Sequence, residues 1–189
     1  MDYTALSLSQ IRTGLNDVAR EVRAGFGSLS ATQLNWRPDE ARWSVAQCFD
    51  HLLTANRMML TSADAALDDS RSRSIWQRLP VWPELMGPIM VRSQAPASTR
   101  KYKAPAAARP SSSAIAANII TRFADQHREI DSRLQVLDPA AAARTVMASP
   151  FARIVTYSVL DGWRLLLAHE HRHFEQARRV TESAQFPSA

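Results

Sequence analysis

Leu6, Ile11, Leu15, Val18, Val22, Phe26 and Leu29 follow one another mostly at three- and four-residue steps. That is the period of a single buried stripe, and it predicts a first helix over about 4–28. A short segment follows in which Ser30 and Gln33 stand at capping-box spacing, ending at Trp36-Arg37-Pro38. Ser44 and Gln47 repeat that spacing ahead of Val45, Cys48, Phe49, Leu52, Met59 and Leu60, so a second helix is expected over about 44–67. Ile115, Ile119, Phe123, Ile130, Leu134 and Leu137 mark a third, beginning after Pro110 and the cap region Ser111–Ser113 and ending at Asp138-Pro139. An Ala-rich linker and Pro150 separate it from a last helix, which starts between Thr156 and Ser158 and runs to about Glu182. Leu160, Trp163, Leu167, Phe174, Ala177 and Val180 form its apolar side. No stretch reads convincingly as a strand. Four long amphipathic segments predict an all-α chain, a four-helix bundle in a single domain over 1–189.

The connection between the second and third helices, 68–111, changes how the charge is read. The 189 residues hold 23 Lys+Arg and 18 Asp+Glu, a net charge of +5, and a basic excess raises the question of nucleic acid. Between Ser70 and Pro110 there are eight bases and a single acid, Glu84, for a net +7; the remainder is −2. Six of the ten prolines lie in the same stretch, a density that stops long helices. It is read as a long, irregular, basic crossover with local order around Ile75–Val91. Either a lid or anion-attracting rim or a solvated loop accounts for it. No helix-turn-helix, zinc-finger or RNP signature accompanies the charge, so no nucleic-acid partner is expected. The single cysteine excludes an intramolecular disulfide and a Cys-rich zinc module. Met1–Gln10 has no basic n-region, and no apolar run reaches the ~18–20 residues of a membrane span. A cytoplasmic protein with no membrane partner is the expectation.

Five histidines are present, three of them in His169-Glu170-His171-Arg172-His173. Residues i and i+4 share a helix face, so His169 and His173 can point two imidazoles at one ion, while His171 is turned away. His169 and His173 lie three and seven residues after Leu166, in an apolar row, and imidazoles near a core need hydrogen bonds or a ligated ion. His51, on the second helix among Leu52, Leu53 and Ala55, is the natural third ligand, because bundle sites are built from inward side chains of facing helices. Three neutral imidazoles suit Zn²⁺, Ni²⁺ or Fe²⁺ and leave room for water or substrate. Histidines satisfied at the core edge are the alternative. Glu170 and Gln176 are candidates for orienting the rings, although a surface ion pair and an exposed polar residue are the simpler roles for them. His127 reads as a polar flank residue, and Cys48 as a small buried hydrophobe rather than a soft ligand. Residues 169–173 also match the H-E-x-x-H protease signature. The metzincin extension needs Gly at 176 and His at 179, where the chain has Gln176 and Arg179, and there is no sign of the accompanying sheet.

Leu34-Asn35-Trp36-Arg37-Pro38, Arg42-Trp43-Ser44-Val45-Ala46-Gln47, Asp50-His51-Leu52-Leu53 and the ending His169-Glu170-x-Arg172-His173-x-x-Gln176 resemble the DinB-like (YfiT-like) four-helix-bundle superfamily. Lys101-Tyr102-Lys103-Ala104-Pro105 is similar to part of its central connection. The family is distinct from the lesion-bypass DNA polymerase that shares the name. The resemblance covers nearly the whole chain and implies a divalent metal held by His51, His169 and His173. It further implies a metal-dependent enzyme acting on a small-molecule substrate. The reaction class is a transferase or isomerase using a low-molecular-weight thiol, or a hydrolase; the alternative is a non-catalytic, metal-stabilised binding or stress-response module. A homodimer through exposed helix faces fits this kind of bundle.

Overall fold

A 3-10 turn, Tyr3–Ala5, leads into α1 (Leu8–Phe26), which begins where Ser7 and Gln10 exchange the two hydrogen bonds of a capping box. In this computed structural model residues 1–68, 74–78, 81–98, 104–111 and 114–188 are described. The same capping device, with Ser30 and Gln33, opens the short α2 (Ala31–Asn35), and with Ser44 and Gln47 it opens α3 (Val45–Leu67). In the connection lie α4 (Ile75–Arg78), α5 (Trp82–Gln94) and a 3-10 turn, Ala106–Ala108. The chain continues with α6 (Ile119–Val136), α7 (Pro139–Arg144), strands β1 (Val146–Ala148) and β2 (Thr156–Ser158), and α8 (Val159–Thr181).

The four long helices pack in a ring, α1 on α6, α6 on α3, α3 on α8 and α8 on α1, as expected of a bundle. Their shared core contains Ile11, Leu15, Phe49, Leu52, Phe123, Ile130 and Leu167, each at most 1% exposed. Phe26, Phe49 and Phe123 form an aromatic chain across α1, α3 and α6, with ring centroids 5.4 and 5.1 Å apart.

Three features sharpen or depart from the sequence expectation. First, the local order expected around Ile75–Val91 is helical: beyond α4, α5 is three turns long and lies along α8 and β2, with Val91 buried. Pro83 sits in its first turn, where the missing N–H matters least. Gly87 allows the close approach to α8, since a Cβ there would fall 2.3 Å from Asp161 Oδ2. Second, α6 starts at Ile119 behind Asn118, not at the expected cap Ser111–Ser113, of which Ser112 and Ser113 lie outside the described residues. Third, the Ala-rich linker folds into α7 and an antiparallel ribbon pairing Met147 with Tyr157. Both residues are 1% exposed, and Ser62 on α3 ties the ribbon down through the Ala148 carbonyl.

Of the eight bases in the connection, Arg71, Arg73, Arg100, Lys101 and Lys103 lie outside the described residues, and with them most of the segment Lys101-Tyr102-Lys103-Ala104-Pro105. No helix among the described residues is long and apolar enough to cross a membrane.

Candidate metal centre

His51 lies on the second turn of α3, and His169 and His173 lie one turn apart in the middle of α8. Because α3 and α8 are packed neighbours, the three rings meet at their interface, each offering a ligand atom within 4.8 Å of the others. His51 Nε2 and His169 Nε2 are 3.1 Å apart. Two ligands of a tetrahedral zinc site at ~2.0–2.1 Å are themselves about 3.3 Å apart, so this spacing suits a shared cation. His51 and His173 are buried; His169 is half-buried and gives the cluster its exposed edge.

The protonation chemistry of the rings agrees with that geometry. His51 Nδ1 is 2.5 Å from the carbonyl of Ala108 and must donate its proton there, which leaves the Nε2 lone pair directed at the cluster. Burial lowers the pKa of His51, against the opposing effect of the Ala108 bond. Burial, with the neighbouring His173, His51 and Arg172, pushes His169 well below the usual histidine range. Burial brings His173 down to about 3, assisted by His51 and Arg172 and opposed by the neighbouring Gln176 side chain. All three imidazoles are therefore neutral at pH 7, the form that binds metal. Among the described residues, His173 Nδ1 is buried without a hydrogen-bond partner. Such an orphan is expensive unless something else satisfies it, and a cation among the rings is one way. By spacing, exposure and chemistry the donor set fits a divalent metal.

Trp43, just before the Ser44 cap, closes one side: it stacks on His173 at 5.6 Å and 16° between planes and tilts against His51 at 5.1 Å. The connection closes another, through Ala108 and the end of α5, where the Ser93 carbonyl accepts from Arg172. His171 points elsewhere, as the helical spacing predicts, and pairs with the Tyr3 hydroxyl at 2.8 Å. Cys48 is a fully buried thiol outside the cluster, as expected of a small core residue.

Glu170 is not on the surface. It is 0% exposed, with Oε1 2.7 Å from Asn56 Nδ2 and Oε2 2.9 Å from His127 Nε2. His127 Nδ1 donates to the Phe123 carbonyl, so the pair shares one further proton between Nε2 and the carboxylate. Burial lowers the pKa of His127, but Glu170 and the two hydrogen bonds outweigh it and the net shift is upward. Asn56 also donates to Gln126, whose amide donates to the Leu53 carbonyl. Sequence reasoning missed this buried polar network across α3, α6 and α8. Its one visible sign is Asn56, which interrupts the apolar row of Leu52 and Leu60. Gln176 is half-buried beside His173. Trp43 and Ala108 carry no local signal of their position.

Among curated proteins and solved structures, none matches the chain significantly. The model of the DinB superfamily matches residues 15–177, a span that runs from α1 to the last turns of α8 and includes all three clustered histidines. With that match over most of its length, and a helical bundle that brings His51, His169 and His173 together, the chain belongs to the DinB superfamily.

Proposed function

We propose that the protein is a metal-dependent enzyme in which His51, His169 and His173 hold one divalent ion, Zn²⁺, Ni²⁺ or Fe²⁺. The convergence of three neutral imidazoles from two facing helices carries this reading. An ion bound there supplies Lewis acidity, which makes water or a low-molecular-weight thiol nucleophilic near neutral pH. The reaction is thus hydrolysis or thiol-dependent group transfer on a small-molecule substrate. The chain's own groups do the rest. Ala108 fixes the tautomer of His51, Trp43 keeps water from one face of His173, and the half-buried edge of His169 leaves a side for approach. The net +7 of the connection that supplies Ala108 attracts anionic substrates, acidic thiols among them.

Elemental analysis of the protein purified without added metal, beside His51→Ala and His173→Ala, tests the site. About one ion per chain in the parent and little in the variants is expected; equal content in all three ends the reading. A screen of thiol transfer and ester or amide hydrolysis with metal restored then tests catalysis. Metal uptake with no turnover in that screen replaces the enzyme with a metal-stabilised binding module.

A further inference from the structure

Glu170 occupies the general-base position of an H-E-x-x-H motif, yet both of its oxygens are taken by Asn56 on α3 and His127 on α6. We propose that Glu170 is a positioning residue: it ties α8 to α3 and α6 so that His169 and His173 meet His51 at ligand spacing. The proposal rests on the reading that these three histidines hold a metal.

Helix geometry makes the connection. Successive residues of α8 are turned by ~100°, so fixing the direction of Glu170 fixes those of His169 beside it and His173 three residues on. On the opposite helix the network grips α3 at Asn56, five residues after His51, and at the Leu53 carbonyl, two residues after it. The 3.1 Å gap between His51 and His169 is thus spanned by a hydrogen-bonded link anchored close to both rings. Apolar packing alone tolerates sliding, whereas a binding constellation must be held to within ~0.5 Å. Asn56, Gln126, His127 and Glu170 are at most 5% exposed, and a carboxylate in a core is no more stable than an apolar side chain of similar volume. What this network adds over apolar packing is a defined register between α3 and α8.

The test is a Co²⁺ titration of the full chain, read by affinity and by the d–d absorption band, with thermal melts in chelator run in parallel. The variants are Glu170→Gln, Glu170→Ala and Asn56→Ala. Glu170→Ala is expected to bind Co²⁺ about tenfold more weakly or worse, with an altered band. Glu170→Gln stays close to the parent, because its carbonyl accepts from Asn56 and its NH₂ donates to His127 Nε2. Unchanged affinity and band in Glu170→Ala, with only a lower Tm, overturn the proposal. So does Glu170→Gln binding as weakly as Glu170→Ala, since charge and not position would then matter. If Glu170→Ala fails to fold, Asn56→Ala takes its place: weaker binding with an altered band supports the proposal, and unchanged affinity and band overturn it. A parent chain that takes up no Co²⁺ overturns the metal reading itself, and is told apart by that control.

Discussion

The imidazole of His51 donates to the main-chain carbonyl of Ala108, 57 residues further along the chain, and so ties the central connection to the histidine cluster. Ala108 is itself 0% exposed, and the segment after it is held on α3 by the Ser111 N–H, which donates to Asp50 Oδ2 at 2.9 Å. The residue beside a candidate ligand therefore fastens the strap that orients the ligand.

Asp50→Ala releases that fastening without touching a ring of the cluster. The expected outcome is metal affinity lower by about threefold to tenfold, measured by competition with a chromophoric chelator. Tm falls by no more than a few degrees, because the bond lost is near the surface. Unchanged affinity would show that Ala108 holds its place without Asp50.

The aromatic chain Phe26–Phe49–Phe123 joins three of the four long helices, so its middle member carries more than its own contacts. Phe49 is 0% exposed, and Phe49→Ala removes a large ring from between Phe26 and Phe123. A loss of about 3–5 kcal/mol is expected in urea unfolding, against less than about 1.5 kcal/mol for a volume-conserving change such as Leu52→Met.

The long helices are legible in the sequence because each carries its own stripe and each start has a local chemical sign. Ser44 with Gln47 marks the start of α3 before any contact is known, and the capping box is there in the fold. The histidine cluster is legible for a related reason: i,i+4 spacing on α8 and one His in an apolar stretch of α3 need only helix geometry and one packing contact. What the sequence hides depends on contacts that no periodicity encodes. Local order is expected around Ile75–Val91, but not a helix of three turns, because Pro83, Gly87 and Pro88 read as breakers; α8 and β2 supply the packing that makes Trp82 to Gln94 helical. Glu170 resembles a surface charge because a buried carboxylate is stable only with partners, and Asn56 and His127 come from two other helices.

Cys48 gives a direct probe of global stability. Burial pushes its thiol up to about 12, against a small opposing effect of Arg179, so the native protein holds essentially no thiolate at pH 8. Alkylation at pH 8 is expected to follow unfolding: negligible over hours in buffer, and rising with urea in step with the loss of helical signal. Rapid modification of the folded protein would place Cys48 at an accessible surface. Cys48→Ala should leave metal content unchanged, since the thiol lies outside the histidine cluster.

The last prediction concerns the pairing of α1 with α6. Arg12 grips Asp131 with two hydrogen bonds, Nε to Oδ1 at 2.7 Å and Nη2 to Oδ2 at 2.9 Å, and Asn16 adds a third at 2.7 Å. These bonds, that from Arg12 first, hold the Asp131 carboxyl at about 2, below the 3.8 of an unperturbed aspartate. A depressed folded-state pKa means that the unfolded chain takes up the proton first as pH falls. The stabilisation is therefore complete above about pH 5, erodes below 3.8 and is gone once the pH passes below about 2. Asp131→Asn should lower Tm by about 1–3 °C at pH 7, a modest effect because the pair is partly exposed to solvent and salt. The gap to the parent should stay constant from pH 7 to 5 and close as pH approaches 2 in thermal melts at fixed ionic strength. A gap that persists at pH 2 would assign the effect to the shape of the Asn16–Asp131 contact rather than to the charge on Asp131.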